Sequence, residues 1–209
     1  MRNLQGLIPR DRLDAVGICT APRCDAIRQC VLQSNAQLCV EIGVWKGSSL
    51  MCFAEALEVT GGRVIGIDPY LMDAARNKIG NKKLENLVYE VLVKDQSVRD
   101  GVYENLKRTI QDHNLGDTIM LVRERSENYS ACLDPESVDV LHIDGNHNEE
   151  CVSRDIKQYL PLVKPGGYVV MDDVRWPPVA KAIRQHLLGD AALERDLSFC
   201  AVYRKRPKG

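Results

Sequence analysis

Three carboxylates and one imidazole stand where the spacing allows them to meet. Asp144 closes the apolar run Val138-Asp139-Val140-Leu141-His142-Ile143, and Asp172-Asp173 close a second run that begins at Tyr168. If the two runs are neighbouring parallel strands, Asp144, Asp172 and Asp173 reach one edge of a sheet together. Clustered carboxylates repel, so they either take up protons or hold a cation. Oxygen ligands alone favour Mg²⁺, or Ca²⁺ or Mn²⁺, over zinc. The structural alternative makes Asp172 and Asp173 turn or helix-capping residues ahead of Val174-Arg175-Trp176-Pro177. His147 follows Asp144 by three residues, at the start of a helical stretch carrying Glu149 and Glu150. An imidazole there titrates near neutral pH and can accept a proton from a hydroxyl; its structural alternative is a hydrogen bond to the helix end. His142, inside the apolar run, is expected in the core, and His113 and His186 on helix surfaces.

A second group lies earlier. The run Leu38–Ile42 leads into Glu41-Ile42-Gly43-Val44-Trp45-Lys46-Gly47-Ser48-Ser49. Its glycines permit a tight turn and a close approach of backbone to ligand. Ser48 or Ser49 can cap the following helix, whose free amides suit an anionic group such as a carboxylate. A dinucleotide fingerprint reads G-x-G-x-x-G. This turn reads E-x-G-x-x-x-G, which argues against NAD or FAD. Asp68 ends the next apolar run and has the place of an acid that binds ribose hydroxyls. A loop Asp opening a turn with Pro69 is the alternative.

The elements that must position these residues alternate. Strands are predicted at 38–42, 63–67, 118–122, 138–143, 168–171 and 198–203, and helices at 48–59, 97–113, 149–160 and 178–188. Leu50, Phe53, Ala54 and Leu57 share one helical face, and Pro165-Gly166-Gly167 reads as a turn. Strands alternating with helices of this length imply parallel crossovers. The expected fold is α/β and Rossmann-like: a doubly wound, mostly parallel sheet of six or seven strands with helices on both faces. In such sheets ligands bind beyond the carboxyl ends of the strands. The segment 1–209 is read as a single domain, with no internal repeat or dividing linker.

Composition narrows the partners. The chain has 209 residues, with 28 Lys and Arg against 29 Asp and Glu. That balance argues against a dedicated nucleic-acid binder, and the basic run Arg204-Lys205-Arg206-Pro207-Lys208 is expected to be a solvated tail. No apolar run approaches a membrane span, and the first residues lack a secretory apolar region, so a cytoplasmic location is expected. Eight cysteines form no C-x-x-C pair. Cys39, Cys52 and Cys200 are expected to pack as small hydrophobes; a reactive or metal-binding trio at Cys19, Cys24 and Cys30 is the alternative.

Together Glu41-x-Gly43-x-x-x-Gly47, Asp68-Pro69-Tyr70, His142-Ile143-Asp144-Gly145-Asn146-His147 and Pro165-Gly166-Gly167 leading to Asp172-Asp173 resemble class I S-adenosylmethionine-dependent methyltransferases. The chain is most similar to the branch of macrocin-type sugar O-methyltransferases and cephalosporin-hydroxylase-like proteins, and more distantly to catechol O-methyltransferase. The resemblance implies that Gly43, Gly47 and Ser49 hold the methionine part of the cofactor, with Glu41 supporting the turn. It implies that Asp68 binds the ribose, that Ser126 and Glu127 lie at the adenine end, and that Asp144 belongs to the cofactor site as well. Asp144, Asp172 and Asp173 match the Mg²⁺ ligands of cation-dependent members, and His147 matches the position of the lysine base in catechol O-methyltransferase.

Two departures accompany it. Asn146 stands where many relatives carry Asp, which removes a candidate base. The part after Asp173 reads as one helix and one strand, where the family has a helix and a two-stranded hairpin. A substrate lid is then expected from an N-terminal helical cap, 1–35, or from an insertion at 70–95. The function expected is methyl transfer to a hydroxyl of a small sugar or catechol-like acceptor, with Mg²⁺ aiding. The alternatives are a metal-independent methyltransferase and a non-catalytic S-adenosylmethionine-binding protein. Aromatic walls for the acceptor would come from Trp45, Tyr70, Tyr89 or Trp176, and a homo-oligomer is an open expectation.

Overall fold

Periodicity of two explains the central layer. In the computed structural model, which describes residues 3–7, 19–74 and 95–207, strands β1 (Leu38–Ile42), β2 (Arg63–Ile67), β3 (Ile119–Val122), β4 (Val138–Ile143) and β5 (Val163–Met171) run parallel. Successive side chains of a strand point to opposite faces. Accordingly Cys39, Val140 and Val170 join one core, while Val40, Leu141 and Val169 join the other. Both faces are therefore apolar, which accounts for the near-continuous hydrophobic runs of the inner strands.

Helices cover each face. The first core takes side chains from α1 (Ala21–Gln33), α2 (Ser48–Thr60) and α3 (Gln96–Asp112). A single turn, α4 (Ser126–Tyr129), precedes β4, and the second core takes α5 (Glu149–Tyr159) and α6 (Pro177–His186). Local signals set the ends. The Asp95 carboxylate accepts from the Ser97 amide at 2.8 Å to cap α3, and Pro177-Pro178 open α6 after Trp176. Gly61 ends α2 in the left-handed conformation, with φ of 75°.

The sheet has seven strands in the order β3-β2-β1-β4-β5-β7-β6. The strand order reverses between β1 and β4, so the crevice expected of an open α/β sheet lies there. The expected final strand proves to be an antiparallel hairpin, β6 (Ala191–Asp196) and β7 (Ala201–Lys205). β7 pairs antiparallel with β5. The apparent shortening of the second half is thus corrected: helix and hairpin are both present. The turn expected at Pro165-Gly166-Gly167 lies inside β5, where Gly166 has φ of 77° and the β4–β5 register shifts. The expected basic tail is also corrected. Arg204 and Lys205 belong to β7, and the buried Lys205 ammonium donates to the carbonyls of Leu160 and Val163 at 2.9 and 2.6 Å. The greater part of the expected lid, 75–94, including Tyr89, and residues 8–18 of the expected cap lie outside the described residues, as does Lys208.

Candidate active site

The turn after β1 is built on backbone contact. Gly43 has φ of 86°, and a Cβ there would lie 2.1 Å from the carbonyl oxygen of Asp144. Only glycine lets the ends of β1 and β4 close up in this way. Asp68, at the end of β2, holds the same turn: its carboxylate accepts from the amides of Val44 and Trp45 at 3.0 and 2.9 Å and from Tyr70 at 2.8 Å. These bonds stabilise left-handed backbone at Trp45, φ of 48°, and Tyr70, φ of 50°. Gly47, also left-handed, begins α2 without a side-chain cap, and a helix start of this kind suits an anionic group.

Below the turn lies a buried polar set. The Ser49 hydroxyl donates to Oε1 of Glu41, and Nδ1 of His142 stands 2.9 Å from the same oxygen. Burial raises the Glu41 pKa, against the opposing effect of His142 and Ser49. Its Oε2 has no partner among the described residues. Buried polar atoms are normally satisfied, so this oxygen marks a place for a donor from outside the chain. Glu41, Gly43, Gly47, Ser49 and Asp68 thus come together, with Asp144 against the turn, and this cradle fits the amino-acid and ribose parts of S-adenosylmethionine. Ser126 and Glu127 open α4, after β3. The Ser126 hydroxyl donates to Asp155 at 2.6 Å, and Glu127 pairs with Arg154 at 3.3 Å.

The strand ends bring Asp144, Asp172, Asp173 and His147 together as well. Nε2 of His147 lies 3.0 Å from Asp173 Oδ2 and 3.9 Å from Asp144 Oδ1, and its ring meets Trp176 edge-on at 4.6 Å between centroids. Burial would lower the His147 pKa, but the neighbouring carboxylates of Asp144 and Asp173 prevail and raise it above 6.5. Desolvation pushes Asp144 upward, yet His147 and Arg23 overcome it and hold its pKa low. Asp173 is raised, chiefly by burial, and its backbone is left-handed with φ of 50°, a strain found at functional sites.

Arg23, from the first turn of α1, was not among the expected site residues. Its Nη1 lies 3.2 Å from Asp144 Oδ2 and bonds Asp172 directly. The sequence signal for it is positional: Arg23, Ala26, Ile27 and Cys30 share the spacing of one helical face, and a charge on an apolar face needs a partner. The expected Mg²⁺ set is therefore engaged by side chains, Asp144 and Asp172 by Arg23 and Asp173 by His147. As placed, the three carboxylates do not fit a magnesium site. Asp144, His147 and Asp173 do offer ligand atoms within 4.8 Å of one another. His142, expected in the core, is fully buried there and also belongs to the Glu41 set. Of the aromatic residues expected around an acceptor, Trp176 flanks His147 and Trp45 lies in the turn, whereas Tyr70 is buried with its hydroxyl on the Trp45 carbonyl at 2.8 Å. Asn146 donates to the carbonyl of Ala74 at 2.8 Å. The cysteine trio is Cys19, Cys24 and Cys52, without Cys30.

Residues 40–174 match the family model of a methyltransferase domain. The chain belongs to this methyltransferase family. The match runs from β1 through the end of β5 and so includes every expected site residue. An uncharacterized protein of Acanthamoeba polyphaga mimivirus is 35% identical over 142 residues, covering 66% of this chain and 53% of the relative; the match spans about half the length of that relative. Among solved structures, the O-methyltransferase NovP superposes with a TM-score of 0.68 at 19% identity, over 88% of this chain and 80% of its own. A putative caffeoyl-CoA O-methyltransferase from Staphylococcus aureus gives 0.69 at 15%, over 98% and 93%. An O-methyltransferase from Bacillus cereus in complex with SAH gives 0.60 at 16%, over 96% and 93%. These likenesses establish the methyltransferase fold. No helix among the described residues is long and apolar enough to cross a membrane.

Proposed function

We propose that the protein transfers a methyl group from S-adenosylmethionine to a hydroxyl oxygen of a small polar or phenolic acceptor. The observation that carries this reading is the adjacency of the Glu41–Gly47 cradle to the His147–Asp173 pair, joined through the contact of Gly43 with Asp144. S-adenosylmethionine, when bound, supplies an electrophilic methyl on sulfur. The uncapped start of α2 receives the carboxylate of its amino-acid part. The orphaned Glu41 oxygen accepts from its ammonium, directly or through water, and Asp68 accepts from ribose hydroxyls. The proton of the acceptor hydroxyl passes to Nδ1 of neutral His147, while Nε2, which faces Asp173, keeps its own proton and Asp173 and Asp144 stabilise the charge that forms. Trp176 fixes the ring plane and shields it from water. Positioning of acceptor against methyl contributes most of the rate, as for other reactions with an already activated group.

Calorimetry with S-adenosylmethionine and a radiolabelled methyl-transfer screen over sugars, catechols and other phenols test the reading. Binding together with O-methylated product supports it. Binding with no product on any acceptor favours the non-catalytic alternative, and failure to bind refutes both.

A further inference from the structure

We propose that Arg23 is the resident cation of the active site and that the reaction runs without a metal ion; the inference rests on the methyl-transfer reading above. Three carboxylates at two strand ends bring a charge of −3. Arg23 answers it with a fixed positive charge held against two of the three. The guanidinium stands between Asp144 and Asp172, bonded to both, and so fills the space between these two carboxylates. It is not a surface arginine that strays inward. Its side chain is 10% exposed, and the helix carrying it is anchored by Ala26, Ile27, Cys30 and Val31, none more than 2% exposed. A guanidinium is charged at any working pH and donates in a fixed plane, so it permanently offsets one of the two charges of Asp144 and Asp172 and orients both. Asp144 is thereby held in place against the Gly43 turn and Asp173 is left to His147.

The location of Arg23 gives the second argument. The family match begins at residue 40, whereas Arg23 lies upstream of it, on α1. The acidic strand ends belong to the shared domain, and the cation that serves them comes from the segment outside the match. One chain can thus retain the carboxylate pattern of an ion site while filling it with its own side chain. By this reading α1 is part of the active site, and the acceptor meets a surface of Arg23, His147 and Trp176.

Manganese binding followed by electron paramagnetic resonance separates the possibilities, because bound Mn²⁺ loses the free-ion signal whether or not the protein turns over. Wild-type protein should leave that signal undiminished and retain methyl transfer in excess EDTA. Arg23→Ala should take up one Mn²⁺ per chain, lose at least ~10-fold in metal-free turnover, and regain activity with Mn²⁺ or Mg²⁺. Adding Asp172→Asn to that variant should abolish the uptake. Arg23→Lys, which keeps the charge, should exclude Mn²⁺ as wild type does, and carries the comparison if the alanine variant does not fold. Stoichiometric Mn²⁺ uptake by wild type, or loss of its activity in EDTA, overturns the proposal. A protein that neither binds S-adenosylmethionine nor methylates any acceptor refutes the methyl-transfer reading, and the Mn²⁺ readout still decides the role of Arg23.

Discussion

Gly43→Ala and Gly61→Ala make the same chemical change at two left-handed positions with different surroundings. At Gly61, φ of 75°, the new Cβ meets nothing within 4 Å, so the cost is backbone strain alone, about 1–2 kcal/mol. At Gly43, φ of 86°, the same strain is joined by a contact of 2.1 Å with the Asp144 carbonyl oxygen and 2.7 Å with Gly145 Cα. Those partners are backbone, so no rotamer change relieves them, and the ends of β1 and β4 must part by about an ångström. Overpacking of this kind adds roughly 1–3 kcal/mol. At about 2–4 °C per kcal/mol for a chain of this size, Gly61→Ala should lower Tm by a few degrees and Gly43→Ala by about twice as much. Thermal unfolding followed by circular dichroism measures both. The displaced turn should also weaken S-adenosylmethionine binding at least ~10-fold in Gly43→Ala, about 1.4 kcal/mol, and leave it unchanged in Gly61→Ala. Equal losses of Tm and unchanged affinity in both would refute the claim that close backbone approach shapes the cradle.

Other substitutions separate chemistry from support. His147→Gln should reduce kcat/KM by roughly 10²–10⁴ with a cofactor Kd within a few-fold of wild type; full activity would remove the imidazole from the reaction. Asp155, which accepts from Ser126, has its pKa raised from 3.8 to about 6 by burial. A raised carboxyl pKa penalises the folded state above that value, so the penalty should fade as pH falls from about 6 toward 4. Its size is on the order of 3 kcal/mol, and Asp155→Asn should be more stable at pH 7 and flatten the curve of urea stability against pH between 4 and 7. Lys205→Met would leave the buried carbonyls of Leu160 and Val163 without their donor, at about 1–3 kcal/mol, read as a lower urea midpoint with an unchanged slope.

The inner strands were legible because they are apolar on both faces, and the site turns because glycine and acid stand at fixed distances from strand ends. β6 escaped because it is an edge strand with mostly exposed side chains. Ala191-Ala192-Leu193-Glu194-Arg195-Asp196 carries neither alternation nor a buried run, and its strand character comes from pairing with β7. The start of β5 escaped because Pro165-Gly166-Gly167 has turn chemistry, and only the register shift against β4 accommodates it within a strand. Arg23 reflects a third limit. Its partners lie 121 and 149 positions away, so local spacing marks it as an oddity of a helix face without saying what it meets. The side chains of Ser126 and Glu127 illustrate a related case: their place after β3 is legible, while their bonds to Asp155 and Arg154 of α5 arise only from packing.

The place of β7 also orders events in time. β5 is complete at Met171, but the strand that covers its outer edge begins only at Ala201, after α6 and β6. At synthesis rates of about 5–20 residues per second, the intervening 30 residues take roughly two to six seconds. Until β7 docks, the outer edge of β5, buried from Gly167 to Met171 in the finished fold, is a bare row of amides and carbonyls, the kind of edge that recruits foreign strands. Slow decoding between 171 and 201 would lengthen the exposure without altering a single contact of the finished protein.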